Sequence, residues 1–133
     1  MAWYSDDYFE EDYFLLEEPT DLETIAHVAF LRSFLALPPG SRILDLACGS
    51  GRLSVALARL GYRVVALDSG RRLLDHAQRA AAQAGQNIEF VCQDMRALDF
   101  DARFDFAFSF LHSFGYFRDE ENLQVLRRVH QAL

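Results

Sequence analysis

The segment Ile43–Leu53, which reads ILDLACGSGRL, decides the fold of this 133-residue chain. It opens with an apolar run that contains one acid, Asp45, and the run predicts a buried β-strand. The triplet Gly49-Ser50-Gly51 then predicts a tight turn, because glycine permits sharp turns and lets a ligand approach the main chain closely. Helical spacing of apolar residues follows this turn. The order of strand, glycine turn and helix is typical of sites for nucleotide-like ligands.

The rest of the chain alternates between helical and strand patterns. Further apolar runs predict strands at Tyr62–Leu67, Ile88–Cys92 and Phe104–Phe110, most of them separated by helical segments. Such alternation favours an α/β fold in which helices cover both faces of a parallel sheet. We therefore expect one domain over residues 19–133, preceded by an acidic, aromatic arm at residues 1–18 that either packs on the domain or closes over a ligand.

Helical patterns are also present near both ends of the domain. Thr20 and Glu23 have the spacing of a capping box, and Asp119 is expected to cap the last helix. The apolar residues that follow helical spacing are Leu22, Ile25, Ala26, Ala29, Phe30 and Phe34 in the first helix and Leu123, Leu126 and Val129 in the last. The second set is expected to face the core.

Three successive predicted strands end in acids, namely Asp45, Asp68 and Asp94. Parallel strands share one carboxyl edge, where ligands bind, so these side chains are expected to surround one site. A carboxylate at Asp68 can accept bonds from both hydroxyls of a ribose. A pyrophosphate would be repelled by Asp45, and the third glycine of a dinucleotide fingerprint is replaced by Ser54. The pattern thus favours a ligand with a cationic end over a nicotinamide dinucleotide.

Composition excludes several classes of partner. The formal net charge is −7 and the chain contains no lysine, so nucleic acid and anionic membrane surfaces are poor candidates. The cysteines Cys48 and Cys92 are far apart and no signal peptide is evident, which predicts free thiols in the cytoplasm. The four histidines are scattered and predict no metal site.

The segment Asp45–Gly51 resembles the first motif of the class I S-adenosylmethionine-dependent methyltransferases. Val65–Asp68 and Gln93–Met95 resemble the next two cofactor motifs of that family, and His112–Phe117 resembles its bacterial small-molecule branch. The resemblance implies a Rossmann-like three-layer sandwich with strand order 3-2-1-4, incomplete relative to the family's seven strands. It also implies S-adenosylmethionine as cofactor and a small-molecule methyl acceptor.

The resemblance implies roles for individual positions. Asp45 would hold the ammonium group of the cofactor, Asp68 its ribose hydroxyls, and Asp94 with the Met95 backbone its adenine. The remaining cofactor contacts would come from Ala47, Cys48, Gly49, Ser50, Gly51, Ser69, Ser109, Phe110, Leu111 and Tyr13, with Tyr4 and Tyr8 also closing over the site. His112 and Tyr116 are the candidates for a catalytic base.

The chain ends within the helix after the fourth predicted strand, whereas family members continue into further strands. Phe104–Phe110 would then be an aromatic, almost uncharged edge, and such edges pair readily with other chains. We expect either a portion of a longer enzyme or an assembly, most simply a homodimer, that covers this edge. The alternative to a methyltransferase is a module that binds the cofactor without catalysis and pairs through the open edge.

Overall fold

A computed structural model describes residues 20–111 and 113–133. In that part of the chain, helices and strands alternate as the sequence predicts. The arm predicted at residues 1–18 lies outside the described residues. The helices are α1 Asp21–Leu35, α2 Arg52–Arg59, α3 Arg71–Gln83 and α4 Asp119–Ala132, with a short 3-10 helix at Met95–Ala97; the strands are β1 Arg42–Leu46, β2 Arg63–Asp68, β3 Glu89–Cys92 and β4 Phe106–Phe108.

The strands form one parallel sheet with the order β3-β2-β1-β4. This confirms the predicted α/β fold and strand order. The chain returns between parallel strands through α2 and α3, so the carboxyl ends of β1, β2 and β3 lie along the same edge of the sheet. The glycine turn and the three predicted acids follow these ends.

Side chains of β1 alternate between two hydrophobic clusters, one on each face of the sheet. Ile43 packs in the cluster that includes α1 and α2, whereas Leu44 and Leu46 pack in the cluster that includes α4. Ile43 and Leu44 are both completely buried. A strand that is covered on both faces reads as a continuous apolar run, which explains why β1 is clear in the sequence.

The fourth strand is shorter than predicted. The expected strand Phe104–Phe110 is wrong at both ends, because only Phe106–Phe108 pair with β1. At one end, the Phe104 backbone N–H donates to the carbonyl of Ala132 at the end of α4 (3.0 Å), so this residue is held by a helix. At the other end, Leu111 has a φ of 55°, which turns the chain out of the sheet.

The buried face of α4 differs from the predicted one, and the buried residues of α1 are not among those of its apolar spacing. In α1 the buried residues are Val28, Leu31 and Leu35, while Leu22 and Phe34 from the predicted apolar set are more than two-thirds exposed. In α4 the buried residues are Val125 and Ala132, whereas Leu123 and Leu126 of the set expected to face the core are exposed. No helix in the described ranges has the length and apolar character needed to cross a membrane.

The helix starts match the sequence in one case and not in the other. At α1 the Glu23 backbone N–H donates to Thr20 Oγ1 (3.2 Å) and the Thr20 backbone N–H donates to the Glu23 carboxylate (2.6 Å), which confirms the capping box. At α4 the prediction for Asp119 is wrong by one position, because Arg118 is the N-cap. Its backbone N–H donates to Glu121 Oε2 (3.2 Å) and thereby fixes the helix start.

Candidate cofactor site

The glycine turn joins β1 to α2 through three residues with positive φ. These are Ala47 (64°), Gly49 (56°) and Gly51 (82°). The Cys48 backbone N–H donates to the Leu67 carbonyl (2.9 Å), which attaches the turn to β2. A Cβ atom on Gly51 would lie 2.7 Å from the Cβ of Ala77, so this position must be glycine for α2 and α3 to approach. Gly51 therefore serves packing and does not line the cavity described below.

Asp45 is the buried acid of the site. Its residue exposure is 3%, and its Oδ2 accepts a hydrogen bond from the hydroxyl of the fully buried Ser54 (2.5 Å). Burial raises the pKa of Asp45 to about 7; the bond from Ser54 opposes this rise and the nearby charge of Asp68 adds to it. The sequence identified Ser54 only as a missing glycine, although its role is to satisfy this carboxylate.

Asp68 connects two loops at the carboxyl edge. Its Oδ2 accepts from the Gly49 backbone N–H and its Oδ1 from the Gly70 backbone N–H, each at 2.8 Å. Each carboxylate oxygen has two lone pairs, so a carboxylate can accept several hydrogen bonds at once. Asp68 thus holds the glycine turn in position as well as facing the cavity.

Asp94 follows β3 and begins the 3-10 helix. Its Oδ1 accepts from the Arg96 backbone N–H (2.8 Å) and its Oδ2 from Arg96 Nη2 (2.7 Å). The hydrogen bonds from Arg96 hold the pKa of Asp94 below its usual value. Asp94 is therefore ionised at neutral pH and acts only as a hydrogen-bond acceptor.

One cavity of about 230 Å³ brings most of the predicted residues together. The predicted residues on its wall are Asp45, Ala47, Cys48, Gly49, Ser50, Asp68, Ser69, Asp94, Met95, Phe110, Leu111 and Tyr116. Of the other predicted residues, Gly51 and Ser109 are not on this wall, and the Ser109 hydroxyl is buried without a hydrogen-bond partner among the described residues. Tyr4, Tyr8, Tyr13 and His112 lie outside the described residues.

Two arginines on the cavity wall were missed from the sequence. Arg52 Nη1 lies 3.2 Å from Thr24 Oγ1 and 3.1 Å from His27 Nδ1, so it joins α1 to the start of α2. Arg96 reaches Asp94 as described above. No sequence signal separates these arginines from the others, because their roles depend on contacts with distant segments.

The charges of the site favour a cationic ligand end at the β1 side. Asp45 and Asp68 face the same cavity as the turn.

No group of three His, Cys, Asp or Glu side chains in residues 20–111 and 113–133 could hold a metal ion. Burial and the nearby acids raise the pKa of the Cys48 thiol, so the thiol remains protonated and is a poor nucleophile.

The fold and the cavity define an α/β protein with a cavity at the edge where its parallel strands end. A family model described as a methyltransferase domain matches residues 43–133. The chain therefore belongs to the methyltransferase domain family. The match begins at β1 and includes the glycine turn, all three acids and α4.

Two relatives agree with this family. A ubiquinone biosynthesis O-methyltransferase of Coxiella burnetii is 45% identical over 67 residues, which are 50% of this chain and 29% of that protein. A cypemycin N-terminal methyltransferase of a Streptomyces species is 37% identical over 95 residues, 71% of this chain and 38% of that one. The chain thus spans less than two-fifths of the length of these relatives.

The structural likeness extends over almost the whole chain. Magnesium protoporphyrin IX methyltransferase from Synechocystis PCC 6803, solved with bound S-adenosylmethionine, has a TM-score of 0.72 and 22% identity. The match covers 97% of this chain and 72% of that one. At this identity the likeness concerns the fold.

Proposed function

We propose that the chain binds S-adenosylmethionine in the cavity and is the cofactor-binding portion of an enzyme that methylates a small molecule. The observation behind this proposal is that Asp45, Asp68 and Asp94, from the ends of three adjacent parallel strands, line one cavity. The cofactor offers an ammonium group, a ribose diol and an exocyclic amine, and each of these groups can donate a hydrogen bond to a carboxylate. A pyrophosphate would instead meet buried negative charge.

Each acid has a proposed partner in the cofactor. Asp45 binds the ammonium group, directly or through water, Asp68 accepts from the ribose hydroxyls, and Asp94 accepts from the adenine amino group. The Met95 backbone N–H donates to a ring nitrogen, and Gly49 with Ser50 packs against the methionine part. We add Arg52, a residue of the cavity wall beside the turn, as the group that pairs with the cofactor's carboxylate.

The reaction needs positioning more than acid or base chemistry. When bound, the cofactor supplies an electrophilic methyl group on a sulfonium. Phe110 and Leu111 form the wall after β4, where they exclude water and limit the approach of the acceptor to one direction. Tyr116 on the wall and His112 are the candidates that take a proton from a hydroxyl acceptor.

Small molecules are the acceptor class that we propose. The net charge of −7 disfavours nucleic acids. One similar protein bears the name of a ubiquinone biosynthesis enzyme, which also suggests a small organic acceptor. The two free thiols support a reducing, cytoplasmic location, which we also propose.

Calorimetry with S-adenosylhomocysteine tests the cofactor proposal. The folded chain should bind it, and Asp68→Ala should weaken binding by roughly a hundredfold, since two bonds to a charged acceptor are lost. Asp75→Ala on the exposed side of α3 removes the same charge away from the cavity and should bind like the parent chain. Absence of binding heat in a chain with native circular dichroism would refute the proposal.

The alternative function is a cofactor-binding module that assembles through its sheet edge. β4 is one of the two edge strands of the described sheet, and Leu123 and Leu126 on α4 are about half exposed. For the isolated 133-residue chain we propose a second copy as the partner that covers this edge. Light scattering tests this, because a monomer at high concentration contradicts it. Cofactor binding without methyl transfer to any acceptor in a broad screen would favour the module.

A further inference from the structure

The Arg96 side chain connects three parts of the molecule beside the cavity. Its Nη2 donates to Asp94 Oδ2 (2.7 Å) and its Nη1 donates to Glu121 Oε1 in α4 (3.0 Å). Its guanidinium carbon lies 4.2 Å from the ring centroid of Phe117, which is within the range of a cation–π contact. Arg96, Asp94 and Phe117 all line the cavity.

The contact between Arg96 and Asp94 is bidentate. Besides the Nη2 bond, Nε donates to Oδ1 (3.1 Å) and lies 3.2 Å from Oδ2. A planar guanidinium that meets a planar carboxylate in this way fixes the rotation of the carboxylate. Glu121 and the Phe117 ring in turn fix the guanidinium, so the direction in which Asp94 can accept a further bond is set by residues far from it in sequence.

The fork, which is the bidentate contact between the Arg96 side chain and the Asp94 carboxylate, is separate from the backbone hydrogen bond that caps the 3-10 helix. Asp94 Oδ1 also accepts from the backbone N–H of residue 96, and this bond is available to any side chain at that position. A change of the Arg96 side chain therefore removes the orientation of the carboxylate and leaves the cap of the 3-10 helix intact.

We propose that Arg96 is a positioning residue for base specificity, which holds the Asp94 carboxylate in the orientation that accepts from an exocyclic amine and repels a carbonyl. This inference rests on the proposed function. With adenine the carboxylate gains a hydrogen bond, whereas hypoxanthine presents an oxygen at the same position and leaves two acceptors facing each other. An acceptor group in a protein rejects a ligand that lacks the matching donor most strongly when that acceptor cannot turn away.

The test compares S-adenosylhomocysteine with S-inosylhomocysteine, whose base has a carbonyl where adenine has its amine and a hydrogen on the neighbouring ring nitrogen. The full 133-residue chain should prefer the adenosyl compound in calorimetry. Arg96→Met keeps side-chain length without the fork, and we expect the preference, taken as the ratio of the two dissociation constants, to fall about tenfold. Glu121→Gln keeps Arg96 but weakens its outer anchor, so the ratio should fall by a smaller factor.

Arg103→Met is the matched control. Arg103 also forms an ion pair, with Glu89, and lies over the rings of Phe100 and Phe104, but it is not on the cofactor cavity. Its loss should leave the ratio unchanged. Because a structural role would weaken both ligands equally, the ratio separates positioning from folding, and Arg96→Lys provides a second variant that retains the charge but loses the fork.

The outcomes separate this inference from the proposal on which it rests. If the parent chain is folded and binds neither compound, the proposed function fails and the inference fails with it. If the parent prefers the adenosyl compound and Arg96→Met keeps that ratio, the inference alone is overturned. Tighter binding of the adenosyl compound by Arg96→Met would also overturn it, since Arg96 would then compete with the adenine. A ratio that falls in Arg96→Met and in Arg96→Lys supports it.

Discussion

Asp45→Asn should make the chain more stable above neutral pH, although it removes a residue proposed to bind the cofactor. The residue is 3% exposed, and burial raises the pKa of its carboxyl group from 3.8 to about 7 in the folded state. In the unfolded chain the pKa returns to the ordinary value. Between pH 4 and 7 the folded state therefore holds a proton that the unfolded state has lost.

The sign and size of the effect follow from this difference. Because the folded state binds more protons, stability falls as pH rises through this window and levels off above the folded pKa. The pKa difference of about three units, at 1.36 kcal/mol per unit, corresponds to about 4 kcal/mol. Asparagine has nearly the same shape, remains neutral at every pH, and its amide oxygen can still accept from the Ser54 hydroxyl.

Urea unfolding at pH 4.5, 6 and 8 measures the difference between the two proteins. The free energy of unfolding of the variant relative to the parent should have gained only about 1 kcal/mol at pH 4.5 and should increase to a gain of about 4 kcal/mol at pH 8. Taking the difference cancels the opposite trend from acids such as Asp94, whose folded pKa is lowered. Parallel stability curves from pH 4.5 to 8 would refute the reasoning, since Asp45 would then titrate alike in both states.

Three further results are expected. Binding of S-adenosylhomocysteine should strengthen as pH rises through about 7 and release a proton, because its ammonium group favours the ionised Asp45; calorimetry in buffers of different ionisation heat measures this, and a flat profile contradicts it. Gly51→Ala should cost more than Gly85→Ala in urea unfolding, since both have positive φ but only the former meets another atom, Ala77 Cβ at 2.7 Å; equal costs contradict the packing argument. Ser54→Ala should destabilise the chain by about 1–3 kcal/mol at pH 8, where Asp45 is ionised, and by less at pH 5, and equal losses at both pH values would contradict it.

The sequence predicts the sheet and most of the cavity wall because those features depend on local patterns. Asp45 and Asp68 stand at the ends of β1 and β2, and the parallel arrangement alone brings these ends to one edge. The glycine turn is equally local, since its residues adopt positive φ within the turn itself. A short apolar run, a turn and a terminal acid are therefore sufficient to place these groups.

Features that depend on distant contacts are not readable in the same way. The helix α1 has apolar residues on both faces, so periodicity could not show that Val28, Leu31 and Leu35 are the buried ones. The phenylalanines of residues 104–110 have strand character, yet the Ala132 carbonyl at the end of α4 holds Phe104. Arg96 is 25 positions from Glu121, and no local spacing signals that they meet.

The three acids differ in how the chain satisfies them, and this difference connects stability to the proposed function. Asp68 accepts from two backbone N–H groups and Asp94 from Arg96. Asp45 is the most buried of them, and in the described part of the chain its side chain accepts only from Ser54. The charge of nearby Arg52 lowers this pKa but does not offset the effect of burial, so the ionised form lacks a cation that compensates it fully. A ligand with an ammonium group supplies that cation. The burial of Asp45 lowers the stability of the ligand-free protein, and the same position is where a cationic ligand gains most affinity.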